Sequence, residues 1–134
     1  MSFDRRHFIR YQLPALLWAV IIFIISSVPG TRLPKLVHLV SDKFIHASVF
    51  FIFGLLVYRA LSSPARVPPR FEWWRLLTAL IIVILYGFSD EFHQGFVPGR
   101  TVDLKDALAD TAGCLVSGLV ILLTSKRKSE GPRP

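Results

Sequence analysis

Six of the nine acidic residues, Asp42, Asp90, Glu91, Asp103, Asp106 and Asp110, fall in three short stretches that also hold Lys43, His46, His93, Gln94 and Arg100. Their spacing favours shared faces. Asp42 and His46 are four apart, one turn on a helix, and so are Asp90 and Gln94, with Ser89 and His93 on an adjacent stripe. Asp103, Asp106 and Asp110 follow at i, i+3 and i+7, and the stripe runs on through Gly113 and Ser117. A carboxylate beside an imidazole can accept, relay or orient a proton, which makes Asp42, His46, Asp90, Glu91 and Asp106 the candidate catalytic groups. The same chemistry can hold a divalent cation, the one candidate cofactor, with Asp90, Glu91, Asp106 and His46 as candidate ligands. Lys43, Gln94 and Arg100 are candidates to bind the substrate, the two cations by gripping an anionic group. Val97-Pro98-Gly99-Arg100-Thr101 reads as a turn into a helix start, a place where a phosphate can sit.

Each residue also has a plainer use. Asp103 suits a helix N-cap, with Asp106 in the first turn. Asp42 could latch to Lys43 or Arg100, His46 could do no more than orient Asp42, and His93 could rest inert at an interface. Arg59 and Arg75 are expected to snorkel, and Cys114 and Ser117 to pack. Known catalytic spacings are absent: the chain has no H-E-x-x-H, no cysteine metal set, no G-x-S-x-G and no P-loop pattern.

The elements that must position these groups are four apolar blocks: Leu13 to Val28, Phe44 to Leu61, Trp73 to Phe88 and Ala107 to Thr124. As helices each is about 24–27 Å long, near the lower limit for a hydrocarbon core, and flanking residues can add a turn. Blocks one and three show no polar face at a period of 3.6, as a soluble bundle would require. The 134 residues are 52% hydrophobic and 19% charged, which excludes disorder, and the single cysteine excludes a disulfide scaffold. The fold class expected is all-α: a four-helix transmembrane bundle with short loops. Residues 1–12 form a basic cytoplasmic start, 13–124 the four-span domain and 125–134 a disordered cytoplasmic tail. Block one follows Arg5, Arg6 and Arg10 as a signal peptide would, but Ser26 to Gly30 lacks an A-x-A cleavage pattern, so a retained helix is expected.

The net charge of +7 would suggest nucleic acid in a soluble protein. Here eleven of the sixteen basic residues lie on one side of a four-span path: Arg5, Arg6, Arg10, Arg59, Arg66, Arg70, Arg75, Lys126, Arg127, Lys128 and Arg133. By the positive-inside rule both termini are cytoplasmic, and anionic headgroups account for the charge without nucleic acid. Trp73-Trp74 marks an interface, with Trp18 a further candidate. The acidic cluster then faces the non-cytoplasmic side. The partners expected are the bilayer and an anionic lipid or lipid-linked envelope precursor; the oligomeric state is open.

Asp42-Lys43-x-x-His46, Ser89-Asp90-Glu91-x-x-Gln94, Pro98-Gly99-Arg100-Thr101, Asp106 and Gly113 together resemble the VanZ-like membrane proteins over nearly the whole chain. The resemblance implies a small multi-pass protein of the bacterial cytoplasmic membrane. It also implies a role in cell-envelope processes or in resistance to glycopeptides of the teicoplanin type. It carries Asp42, Lys43, His46, Asp90, Glu91, Gln94, Arg100, Asp106 and Gly113 over as family positions. Asp110 departs from the family, which often has Asn there; an extra acid could add a cation ligand or raise a neighbour's pKa. Two readings stand: an outer-leaflet hydrolase or transferase acting on a lipid-linked or envelope substrate, and a non-catalytic scaffold or lipid- or cation-binding protein.

Overall fold

The structure is a computed structural model that describes residues 4–32, 42–61 and 72–129, without the side chains of 32 and 126–129. The described residues are helical or irregular, with no strand. Four helices are each long and apolar enough to cross a membrane: α1 (Arg5–Ser26), α2 (Asp42–Ala60), α3 (Trp73–Gln94) and α4 (Leu104–Ser129). Their outward faces carry Leu16, Leu17, Ile24, Ile81, Leu85, Leu119 and Leu123, all more than half exposed, a surface suited to acyl chains rather than water.

α1 begins eight residues before the first apolar block. Asp4 caps it by accepting from the backbone N–H groups of Arg6 and His7. Pro14 has no N–H to give the Arg10 carbonyl one turn back, and the helix widens into a π turn over Phe8–Gln12. Arg59 fills the gap, donating to the Arg10 carbonyl at 3.1 Å while lying over the Tyr11 ring. α4 runs to Ser129, so residues 125–129, read from the sequence as tail, continue the last helix; 130–134 lie outside the described residues, as do Lys35, Arg66, Arg70 and the prolines of the α2–α3 link.

Small residues set the closest approach. Gly113 rests on the backbone of Ala47, and Gly54 sits against the Ser117 hydroxyl; a Cβ at either would collide. This contact brings α4 onto α2 and turns the Asp103–Ser117 stripe inward, with Asp106, Asp110, Gly113 and Ser117 all buried. Phe50, Phe53, Val83 and Cys114 fill the centre, with Ile22 from α1. Trp18 is committed there too, its indole N–H donating to the Val49 carbonyl at 3.1 Å, so it is a bundle residue and no belt residue.

Arg75 departs from the snorkelling expected of it. It is only 4% exposed, and its guanidinium bonds Glu72 at 3.1 Å and lies 5.7 Å from the Trp74 ring. Its place in the first turn of α3 sets it beside Glu72, whose carboxylate offsets part of its desolvation while its Nε stays buried without a partner.

Candidate functional site

The start of α2, the ends of α1 and α3 and the start of α4 meet at one end of the bundle. They bring together every candidate: Asp42, Lys43, His46, Asp90, Glu91, Gln94, Arg100 and Asp106, with Asp103 and Asp110. The side chains form two linked groups.

The first joins α2 to α4. Lys43 bonds the carboxylates of both Asp103, at 2.9 Å, and Asp106. One turn deeper, His46 Nδ1 lies 3.0 Å from Asp110 Oδ1, and its Nε2 stands 4.0 Å from both Asp42 Oδ1 and Asp106 Oδ2. The latch expected of Asp42 with Lys43 or Arg100 is thus made instead by Asp103 and Asp106, because α4 packs so closely on α2. Asp103 is also the expected N-cap: its carboxylate accepts the Lys105 N–H at 2.9 Å and its carbonyl the Asp106 N–H at 2.8 Å. The Lys43 ammonium holds its carboxyl below the usual carboxylate range. Glu91 in turn accepts the Asp103 backbone N–H. The amino end of α4, expected to cradle a phosphate, is therefore filled by the protein's own carboxylates.

The second group joins α3 to α1. Asp90 Oδ2 accepts from the Ser26 hydroxyl at 2.7 Å and the Gln94 amide at 3.0 Å. Arg100 donates to the carbonyls of Val28 and Ile25, at 3.3 and 3.2 Å, and to Gln94 Oε1 at 3.4 Å. It thereby caps the carboxyl end of α1. The turn carrying it is held by the Gly30 N–H on the Pro98 carbonyl, and Gly99, at φ +74°, makes the bend against Thr31. His93 stacks on Phe23 and shares a 3.0 Å hydrogen bond with Ser27, so it ties α3 to α1. Ser89 faces outward and bonds its own helix.

Ser26 and Ser27 were not singled out as site residues in the sequence. Their signal is two hydroxyls at the very end of a charge-free apolar run, just before Pro29-Gly30, where polar side chains have few partners but a neighbouring helix.

Between the groups lies a cavity of about 80 Å³, bordered by Ser26, His46, Phe50, Asp90, Gln94 and Arg100 among others. That is room for a few waters or a small polar group. Asp90 lines it, and three carboxylate oxygens at this end of the bundle, Asp90 Oδ1, Glu91 Oε2 and Asp110 Oδ2, are buried without a hydrogen-bond partner, in residues only 5, 4 and 2% exposed. Buried acceptors of that kind cost free energy unless a proton, a water or a cation answers them. The two cations keep some capacity. Lys43 uses two of its three N–H donors and Arg100 three of its five.

The VanZ/LLP1 family model matches residues 11–125, and the chain belongs to that family. An uncharacterised protein of the fission yeast Schizosaccharomyces pombe is 33% identical over 111 residues, which cover 83% of this chain and 64% of that one. The chain thus spans less than two thirds of that relative. No solved structure matches.

Proposed function

We propose that the acidic end of the bundle faces away from the cytoplasm of a bacterial inner-membrane protein with both termini inside. There it engages the headgroup of an anionic lipid or lipid-linked envelope precursor, and so supports envelope integrity or resistance to glycopeptides of the teicoplanin type. The orientation rests on the basic residues, the resistance on the family. The observation that carries the site is the set of buried, unanswered oxygens on Asp90, Glu91 and Asp110, of which Asp90 lines a small cavity. A latch that served packing alone would match acceptors with donors, as the Lys43–Asp103 and Arg100–Ile25 contacts do. In this reading Asp42, His46, Asp90, Glu91 and Asp106 handle protons at the headgroup, and Lys43, Gln94 and Arg100 hold it through their remaining donors.

The test is expression in a teicoplanin-susceptible bacterium with Asp90→Asn as the variant. Wild-type chain should raise teicoplanin tolerance, and the variant should accumulate equally in the membrane without doing so. A variant that protects as well as wild type contradicts the reading.

One observation favours the non-catalytic alternative: both Lys43 and Arg100 are already committed to protein partners that fasten helices together. Asp106→Asn and Arg100→Lys, made one at a time, separate the two. Normal accumulation with lost tolerance supports a working site; disappearance of both from the membrane supports a scaffold.

A further inference from the structure

Among the described residues, the histidine, cysteine and acidic side chains whose ligand atoms lie within 4.8 Å of one another are Asp42, His46 and Asp106. Asp90 and Glu91, candidates on sequence grounds, fall outside this trio. We infer that Asp42, His46 and Asp106 bind one divalent transition-metal ion of the Zn²⁺ or Mn²⁺ type, with Asp110 orienting the imidazole.

The imidazole is set for it. Asp110, 2% exposed, lies 3.0 Å from His46 Nδ1; when its carboxylate accepts the Nδ1 proton, Nε2 is the ring nitrogen that presents a lone pair. That lone pair faces Asp42 Oδ1 and Asp106 Oδ2, each 4.0 Å away. A triangle with sides of 4.0 to 4.8 Å has its centre about 2.3–2.8 Å from each corner, within a small side-chain adjustment of the roughly 2.0–2.2 Å of a metal–nitrogen or metal–carboxylate bond. A carboxylate behind a metal-binding histidine is the usual way such a ring is held.

Lys43 does not fill the position. Its ammonium takes Asp106 Oδ1 and Asp103 Oδ2, while the oxygen facing His46 is Asp106 Oδ2. The charge around the trio is unbalanced as well: Asp42, Glu91, Asp103, Asp106 and Asp110 stand against the ammonium groups of Lys43 and, beside Asp103, Lys105. Glu91 Oε2 is buried without a partner and lies within electrostatic reach of Asp106, His46 and Asp110. A proton, a water or a nearby cation would answer that oxygen, and an ion held by the trio is one such answer. One nitrogen and two carboxylates suit a borderline ion, and three protein ligands leave a coordination position open. Asp42, with its side chain 58% exposed, forms the mouth through which the ion enters and a headgroup oxygen reaches it. The inference deepens the headgroup reading, since it supplies the group that binds the anionic oxygen.

The test uses the full chain in lipid nanodiscs, stripped with chelator and titrated with Zn²⁺ and, separately, Mn²⁺, with bound metal counted by mass spectrometry. One ion per chain is expected. Asp42→Asn should weaken binding about tenfold or more, and Asp110→Asn by about 10–100-fold through loss of imidazole orientation. Because Asp42 is exposed, its variant keeps the test decisive even where His46→Gln or Asp106→Asn fails to accumulate. Wild-type chains that hold less than about one tenth of an ion at saturating metal, or an Asp42→Asn variant that binds as tightly as wild type, overturn the inference. That failure leaves the tolerance assay intact, because the assay measures no metal.

Discussion

The two ends of the bundle are both charged, yet they use charge differently. At the basic end, Arg75 meets Glu72 within its own turn, and Arg59 answers a carbonyl that Pro14 has orphaned. Arg59 repairs one helix and Arg75 steadies another. At the acidic end, carboxylates outnumber the cations, and oxygens of three buried acids are left unanswered. The difference is one of degree: the first end leaves one buried guanidinium nitrogen, Arg75 Nε, without a partner, the second three buried carboxylate oxygens. The second end has paired contacts as well, through Lys43 and Arg100, and carries acid beyond them. That excess is the basis for proposing a site there.

Substitutions should break this contrast in a definite order. Gly113→Leu drives a side chain into the Ala47 backbone, separates α2 from α4 and should remove the protein from the membrane, as measured by the yield of the integrated chain. Arg75→Ala removes the ion pair with Glu72 and should cost roughly 3 kcal/mol in unfolding assays, with metal binding and teicoplanin tolerance per folded molecule unchanged. Glu91→Gln should do the reverse, shifting stability by only about 1 kcal/mol while abolishing tolerance. If Arg75→Ala abolished function at normal stability, the two ends would be alike and the contrast would fail.

The smallest effect sharpens the role of Asp103. Its carboxyl titrates below the ordinary value because Lys43 favours the charged form. The stabilisation is therefore present above the ordinary carboxylate pKa of about 3.9 and fades as pH falls through the lowered value. Melting curves of wild type and Asp103→Asn should differ slightly at neutral pH and converge in acid. Divergence in acid would remove the Lys43 contact from the account.

The spans were legible in the sequence because charge-free runs of that length have few other fates. The acidic face of α4 was legible for a similar reason: i, i+3 and i+7 spacing ending in Gly113 fixes which side turns inward. What the sequence left open depended on tertiary approach. The partner of Lys43 follows from how closely Gly113 lets α4 settle on α2, and the burial of Arg75 from a neighbouring carboxylate in the same turn. Ser26 and Ser27 enter the site only because Arg100 and Asp90 fasten the end of α1 beside α3. Of these contacts only the Arg75–Glu72 pair, at i and i+3, has a local period.

The account stands on the unanswered oxygens. A high-resolution density map of the full chain in a lipid nanodisc tests them directly. Bound water or an ion within hydrogen-bonding or coordination distance of Asp90 Oδ1, Glu91 Oε2 and Asp110 Oδ2 is the predicted result. A dry, closed end, with each of those oxygens paired to a side-chain donor of the bundle, would contradict it.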